Sequence, residues 1–287
     1  MQDLRRIVWL ASFPKSGNTW IRALLANYIL SDRPDINSLH RFSTADVRQD
    51  FFDRVTGRPF RAKDIKEWLR VRAKVLPAIA ASKPGHHFVK THSKVGRLLG
   101  YPLIMPEVTA AAIYVMRNPF DVLSSYARHM NCPIDTALER MTHKDNMQAS
   151  DTGIVEVLGS WDGHVASWIS AKGLHPHVIR YEDLLSDADA EMRRLIAFLG
   201  MKADEDALSR ALDAASFDSL QSQEQARGFR ERPAGMKQFF ATGTSGGWRQ
   251  ALTPDQIGRV RAAFLSTLKQ FYPEMLDETS VLSATKK

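Results

Sequence analysis

The chain has 287 residues, of which 44% are hydrophobic and 25% are charged, and this composition excludes a disordered, collagen-like or coiled-coil protein. Lysine and arginine number 39 against 32 aspartates and glutamates, and the net charge of +7 favours anionic partners without saying which kind. The single cysteine, Cys132, cannot form an intrachain disulfide. Because no run of about 18 uncharged apolar residues occurs, we expect a cytoplasmic protein without a membrane span.

The first half of the chain opens with a predicted buried strand over residues 7–12, a glycine-containing turn, and a helix over 18–30. This order is the beginning of an α/β fold. Breakers and weak periodicity follow over residues 31–60. The pattern then predicts a basic helix at 62–81, strands at 86–90 and 110–116, and a helix at 120–130.

The second half continues the alternation of strands and helices. It predicts a loop with one short helix at 131–153, a helix at 154–171, a strand at 176–181, helices at 187–199 and 204–214, a polar surface segment at 218–250 and a closing helix at 254–271. The whole pattern predicts a single α/β domain over residues 1–287, with a mostly parallel central sheet flanked by helices.

The turn after the first strand has the features of an anion-binding loop. Residues 12–19 read Ser-Phe-Pro-Lys-Ser-Gly-Asn-Thr, and N–H groups in such a turn form a concavity with the helix N-terminus. In the magnesium-binding P-loop the lysine directly precedes the helical hydroxyl residue, whereas here Lys15 precedes Gly17. We therefore expect a phosphate-like group without an obligate metal. The alternative is an ordinary turn with a solvated lysine.

Two further polar groups follow predicted strands, where α/β sheets keep their sites. Lys90 and His92 stand at the C-terminal edge of one strand, and Arg117 follows the next, with Ser125 inside the helix after it. An arginine at a strand end suits bidentate contact with a phosphate. The alternatives are an exposed lysine with an incidental histidine, and an arginine paired with Asp121.

Taken together, these residues resemble the sulfotransferase family that uses 3′-phosphoadenosine 5′-phosphosulfate (PAPS). The likeness covers most of the chain, and each motif stands in the family's order. The matching segments are residues 14–20, 90–92, 117–126, 159–168 and 181–184, followed by Ser216-Phe217.

The resemblance implies a P-loop NTPase-like fold and in-line transfer of a sulfuryl group from PAPS to an acceptor hydroxyl or amine, leaving adenosine 3′,5′-bisphosphate. His92 would be the general base, Lys15 would neutralise the leaving phosphate, and Lys90 would stabilise the sulfuryl oxygens. Arg117 and Ser125 would hold the 3′-phosphate. The implied donor contacts are Lys15, Ser16, Gly17, Asn18, Thr19, Trp20, Arg117, Ser125, Tyr181, Phe217 and Gly243, with Trp20 and Phe217 on the adenine.

The late part of the chain departs from the family pattern. Family members often carry Arg-Lys-Gly as a further 3′-phosphate clamp, and here Ala241 and Thr242 precede Gly243. The substitute donor stays open among Arg227, Arg230, Arg232 and Lys237.

Other functions fit parts of the sequence. A P-loop-like kinase of a small molecule fits the first strand–turn–helix but lacks G-K-[ST]. A nucleic-acid-binding protein fits the charge, but a solvated helix face is the simpler explanation of the basic run at 58–74. The acceptor is expected to be a small molecule or a glycan, with an anionic acceptor as one option and nucleic acid excluded. Its contacts are expected from residues 31–85, 131–153 and 221–245, and the oligomeric state stays open.

Overall fold

A computed structural model describes residues 5–233 and 235–278. Its strands are β1 (Ile7–Ser12), β2 (Ser43–Ala45), β3 (His87–Thr91), β4 (Arg97–Leu98), β5 (Tyr101–Pro102), β6 (Thr109–Met116), β7 (Met147–Ala149), β8 (Val155–Val157) and β9 (His177–Arg180). Its helices are α1 (Asn18–Ile29), α2 (Gln49–Thr56), α3 (Ile65–Ala81), α4 (Pro119–Met130), α5 (Ile134–Thr142), α6 (Trp161–Ile169), α7 (Tyr181–Ser186), α8 (Ala188–Phe198), α9 (Glu205–Ala214), α10 (Phe217–Arg227), α11 (Trp248–Ala251), α12 (Pro254–Ala263) and α13 (Leu265–Phe271). Short 3₁₀ helices cover Ile36–Arg41 and Pro106–Val108.

A five-stranded sheet in the order β2-β3-β1-β6-β9 forms the centre of the fold. Strand β1 pairs in parallel with both β3 and β6, and β2 pairs in parallel with β3. All six residues of β1 are buried, as expected for a strand covered on both faces. The α/β class and the mostly parallel sheet flanked by helices are thereby confirmed.

The register of the sheet fixes which residues end together. Leu10 of β1 lies opposite Lys90 of β3, and Ser12 lies opposite Val115 of β6. Parallel strands bring their carboxyl ends to one edge, so Ser12 and the residues after Lys90 share that edge.

The chain divides into two compact units. The first unit contains the residues up to 13 together with 43–115 and 144–178, and the second contains 14–42, 116–143 and the residues from 179 onward. The buried aromatic side chains of the first include Trp9, Trp68 and Trp168, and those of the second include Trp248 and Tyr126. The predicted single domain over 1–287 also includes residues 1–4, 234 and 279–287, which lie outside the described residues.

The predicted helix over 154–171 is wrong in its first third. Val155–Val157 is strand β8, which pairs antiparallel with β7, and α6 begins only at Trp161. Gly159 between them has φ 68°, a left-handed conformation that glycine adopts without steric cost. The alternation Val-Glu-Val is a strand pattern, which the helical periodicity downstream concealed.

The segment 218–250 was predicted to be polar surface, but its first part is helix α10. Leu220 and Glu224 of that helix are buried, and so is Phe240 beyond it. The closing helix at 254–271 is two helices, α12 and α13, separated at Phe264.

The basic run is only partly a solvated face. Arg72 on α3 is buried. Its guanidinium donates hydrogen bonds to the carboxylate of buried Asp46, at 2.6 Å, and to the Leu103 carbonyl oxygen, at 2.9 Å. The other basic residues of the run are exposed, namely Arg58, Arg61, Lys63, Lys66, Arg70 and Lys74.

Within the described part of the chain, no helix has the length and apolar character needed to cross a bilayer.

Candidate active site

The end of β3 carries His92 in the first unit, and its imidazole is fixed by Ser12. The His92 Nδ1 atom lies 2.7 Å from the Ser12 carbonyl oxygen and 3.2 Å from the Ser12 hydroxyl oxygen. A carbonyl oxygen only accepts, so Nδ1 carries a proton, and in the neutral imidazole Nε2 then has the lone pair. Sequence reasoning missed Ser12 as a partner, because the contact depends on the register of β1 and β3.

Threonine 91, between the two predicted catalytic side chains, is anchored in the interior. Its hydroxyl donates 2.9 Å to Asp46, which is also the partner of Arg72. This anchor holds the strand end that carries Lys90 and His92. Burial raises the pKa of the Glu156 carboxyl on β8, while Lys90 and a backbone hydrogen bond from His92 oppose that rise.

Helix α6 contacts the backbone that follows β3. His164 Nε2 lies 3.0 Å from the His92 carbonyl oxygen, and Trp168 Nε1 donates 3.1 Å to the Ser93 carbonyl oxygen. The Val95 N–H donates 3.0 Å to the Ser167 hydroxyl. One face of α6 therefore holds the main chain of residues 92–95 in the first unit.

The phosphate-loop residues lie in the second unit, and their backbone suits an anion. Lys15 has φ 69° and Gly17 has φ 106°, both left-handed, and such turns point successive N–H groups into a concavity. The Ser16 hydroxyl is buried without a hydrogen-bond partner. A buried hydroxyl without a partner costs free energy, and a bound phosphate oxygen would supply one. Asn18 and Thr19 are also buried.

Lys15 packs on an aromatic residue that the motifs did not single out. Its ammonium nitrogen lies 3.9 Å from the ring centroid of Phe239, which is cation–π geometry. Buried Glu224 accepts 2.8 Å from the Phe239 N–H and 2.9 Å from the Phe240 N–H. This carboxylate therefore positions the ring beneath Lys15.

Arg117 is part of a stacked cluster in the second unit. Its guanidinium carbon lies 4.3 Å from the ring centroid of Tyr181, which packs edge-on against Trp20 at 5.5 Å. Nη2 donates 3.0 Å to the Thr244 carbonyl oxygen, whereas buried Nε has no hydrogen-bond partner. Burial raises the pKa of the Tyr181 phenol, with Arg117 acting in the opposite sense, so the phenol is neutral near pH 7. The unpartnered Nε fits a second anion.

Asp121 has a different partner set from the one that the sequence suggested. Its ion pair with Arg117 is loose at 3.7 Å. The carboxylate instead accepts from the Ser245 hydroxyl at 3.0 Å and from the N–H groups of Gly246 and Trp248 at 2.7 and 3.1 Å. Asp121 therefore anchors the late glycine segment to the start of α4.

Phe217 and Gly243 lie against each other in the second unit. A Cβ on Gly243 would come within 2.1 Å of the Phe217 ring, and Gly243 has φ 60°. Trp20 Nε1 donates 2.9 Å to the Ala215 carbonyl oxygen, two residues before Phe217. Ser125 is buried on α4. The predicted donor contacts in this unit thus form a chain of neighbours from Trp20 through Tyr181, Arg117 and Thr244 to Gly243 and Phe217.

The structure separates the candidates for the missing Arg-Lys pair. Arg227 pairs with Asp35 at 3.1 Å, and Arg232 donates to Glu224 and to the Lys237 carbonyl oxygen. Arg230 and Lys237 have exposed side chains.

Among the described residues, no group of three or more His, Cys, Asp or Glu side chains could hold a metal ion.

The first unit therefore carries the His92 imidazole held by Ser12, and the second carries two buried donors without hydrogen-bond partners, Ser16 Oγ and Arg117 Nε. The family model for the sulfotransferase domain matches residues 5–272. The chain belongs to the sulfotransferase family. As a member it is an enzyme that transfers a sulfuryl group, which decides against the kinase alternative.

Known relatives agree with this assignment. Human sulfotransferase 1C2 is 25% identical over 255 residues, covering 87% of this chain and 79% of the relative. Cytosolic sulfotransferase 1 of Arabidopsis thaliana is 27% identical, covering 91% of this chain and 78% of the relative.

Solved structures share the fold. The structure of mouse SULT7A1 complexed with PAP matches with a TM-score of 0.60 at 19% identity. The match covers 97% of this chain and 90% of the SULT7A1 chain. Retinol dehydratase, in a complex with retinol and PAP, has a TM-score of 0.63 at 20% identity, covering 94% and 82%.

Proposed function

We propose that the donor is PAPS and that the second unit binds it. The observation that carries the proposal is the pair of unpartnered buried donors, Ser16 Oγ and Arg117 Nε, each within a segment that matches the family's phosphate motifs. Lys15, Ser16, Gly17, Asn18 and Thr19 hold the 5′-phosphosulfate, while Arg117 and Ser125 hold the 3′-phosphate. Trp20, Tyr181, Phe217 and Gly243 form the adenine side.

In the proposed mechanism His92 is the general base. The Nδ1 proton donated to the Ser12 carbonyl oxygen leaves Nε2 to accept the proton of an acceptor hydroxyl or amine. Lys15 supplies positive charge as the bridging oxygen becomes a phosphate oxygen. Lys90 offsets the charge on the equatorial sulfuryl oxygens, so catalysis is largely positioning and electrostatics.

We also propose a small-molecule acceptor, a cytoplasmic location and chemistry that needs no metal. The relatives include an amine sulfotransferase, a flavonol 3-sulfotransferase and a cytosolic sulfotransferase. Retinol dehydratase has been solved with androsterone as well as retinol. These names support hydroxyl and amine acceptors as the first classes to assay. The two units together are proposed to act as one sulfotransferase domain.

The test is an assay with labelled PAPS and a panel of phenols, alcohols and amines. His92→Ala should abolish turnover and leave the affinity for adenosine 3′,5′-bisphosphate unchanged, because the residues proposed to hold its two phosphates and its adenine do not include His92. His86→Ala, which removes an exposed histidine just before β3, is the matched control. Normal turnover by His92→Ala would disprove the assignment of the base.

The donor is tested separately by calorimetry. Adenosine 3′,5′-bisphosphate should bind without magnesium, and ATP with magnesium should bind more weakly because it lacks a 3′-phosphate. A preference for ATP with magnesium, together with phosphoryl transfer, would contradict the proposed donor.

A further inference from the structure

His164 is the buried histidine of the segment 159–168, and the proposed mechanism gives it no role. It is fully buried, and desolvation lowers its pKa to about 3. The imidazole is therefore neutral at any pH near 7. Its ring packs against Tyr114, with a centroid distance of 5.7 Å, and edge-on against Phe13 at 5.6 Å.

The two ring nitrogens of His164 have different and complementary partners. Nε2 lies 3.0 Å from the His92 carbonyl oxygen, and Nδ1 lies 2.9 Å from the Tyr114 hydroxyl. Because the carbonyl only accepts, a neutral His164 must carry its proton on Nε2. Nδ1 then accepts from Tyr114, whose phenol pKa is raised by burial. A single tautomer satisfies both contacts.

We infer that His164 is a positioning residue for His92. It holds the His92 carbonyl group, while the Ser12 carbonyl oxygen holds the His92 imidazole. The two contacts together set the main-chain and side-chain orientation of His92, and they therefore direct the Nε2 atom of His92. The inference rests on the proposed function, because it matters to catalysis only if His92 is the base.

Two amide substitutions separate the two nitrogens of His164. In His164→Gln the longer side chain places an N–H donor near the position of Nε2, so it can still reach the His92 carbonyl oxygen. In His164→Asn the shorter side chain reaches only the Tyr114 side. A displacement of about 1 Å at a reacting group can lower turnover by about a hundredfold.

The expected result is a kcat about a hundredfold lower in His164→Asn and within about threefold of wild type in His164→Gln. Affinity for adenosine 3′,5′-bisphosphate should be unchanged in both. Tyr114→Phe keeps the ring and should lower kcat by about tenfold, because His164 loses one of its two hydrogen bonds. Equal turnover in the asparagine and glutamine variants, whether high or low, overturns the inference.

A spectroscopic measurement tests the positioning without any turnover. In protein labelled with ¹⁵N-histidine, the Nδ1 proton held by Ser12 should give an exchange-protected imidazole signal, assigned by its absence from His92→Ala. It should persist in His164→Gln and be lost in His164→Asn. A signal that persists in His164→Asn contradicts the inference.

The matched control is His87→Gln. His87 is another buried histidine of the first unit, and its Nε2 lies 3.2 Å from a carbonyl oxygen, that of Lys83. Its substitution should change stability without changing kcat or the His92 signal. If His92→Ala retains turnover, the proposed base is wrong, and the spectra still decide whether His164 positions residue 92.

Discussion

The ammonium nitrogen of Lys15 lies 3.9 Å from the ring centroid of Phe239, and the backbone of that aromatic residue is held by the buried carboxylate of Glu224. A lysine on the phosphate loop is therefore oriented by a segment more than two hundred residues later. The conformation of the segment that carries Phe239 therefore determines where the Lys15 ammonium group lies.

Replacing Lys15 by methionine should weaken the binding of adenosine 3′,5′-bisphosphate by about tenfold or more, because a charged donor to the phosphate is lost. The apolar stem still covers Phe239, so the free energy of unfolding should change little. Calorimetry and denaturant unfolding measure the two effects. Unchanged nucleotide affinity would show that Lys15 does not contact the donor.

Glu224→Ala should destabilise the second unit, because the N–H groups of Phe239 and Phe240 lose their acceptor. The expected loss is about 1–3 kcal/mol for buried groups left unsatisfied, together with faster hydrogen exchange at these two amides. Gln225→Ala, an exposed position on the same helix, is the control. Equal exchange rates in both variants would refute the anchoring role.

Arg117→Lys keeps the charge but removes the planar donor fork that stacks on Tyr181. We expect about tenfold weaker binding of adenosine 3′,5′-bisphosphate and unchanged binding of AMP, which lacks the 3′-phosphate. Titration calorimetry with both nucleotides measures the difference. An equal loss for both would place Arg117 elsewhere in the donor site.

Gly243→Ala should displace the Phe217 ring, because the added Cβ would lie 2.1 Å from it. Binding of AMP and of adenosine 3′,5′-bisphosphate should fall together, since both contain adenine. Gly200→Ala is the matched control, with a similar φ of 66° and no neighbour within 4 Å. It carries the same backbone strain without the clash. Similar nucleotide affinities in the two variants would exclude Phe217 from the adenine side.

The pH dependence of stability should reveal His164. Its folded pKa of about 3 lies below the ordinary 6.5 because of burial, which outweighs the opposing backbone hydrogen bond to the His92 carbonyl oxygen. The unfolded chain therefore binds the proton first, and stability present above pH 6.5 is lost as the pH falls from there toward 3. The loss approaches about 1.4 kcal/mol per pH unit.

Denaturant midpoints for wild type and His164→Gln should therefore converge as the pH falls from about 7.5 to about 5. Burial also lowers the pKa of His87, but His87 is present in both proteins and cancels in the comparison. The exposed-site variant His40→Gln is the control for replacing a histidine while His164 stays in place. Parallel curves for His164→Gln would mean that this imidazole is not buried in its neutral form.

The local motifs predicted the fold well where hydrophobic periodicity and capping agreed. Strand β1 and helices α8 and α9 follow the predicted bounds closely, because Asp187 and Asp204 cap the helices as their positions suggest. Helix α10 escaped prediction because its buried positions include the carboxylate of Glu224, which no apolar stripe reveals.

The candidate site was predictable only for residues within motifs. Ser12, Phe239 and the multiple partners of Asp121 depend on contacts between distant parts of the chain. The catalytic and donor-binding roles assigned to the motif residues, those of Lys90 and Ser125 among them, stay predictions. The sequence alone could not identify which residue replaces the missing Arg-Lys pair before Gly243, because several basic residues lie in the same part of the chain.

Cys132 is half-buried and follows Asn131, whose left-handed backbone ends α4. Its N–H donates 3.1 Å to the Ala127 carbonyl oxygen, so the residue sits in a well-defined helix cap. Since it is the single cysteine of the chain, a maleimide dye would attach at one defined point, at the far end of the helix that begins beside Arg117. The native protein thus offers a built-in position for an optical reporter of nucleotide binding.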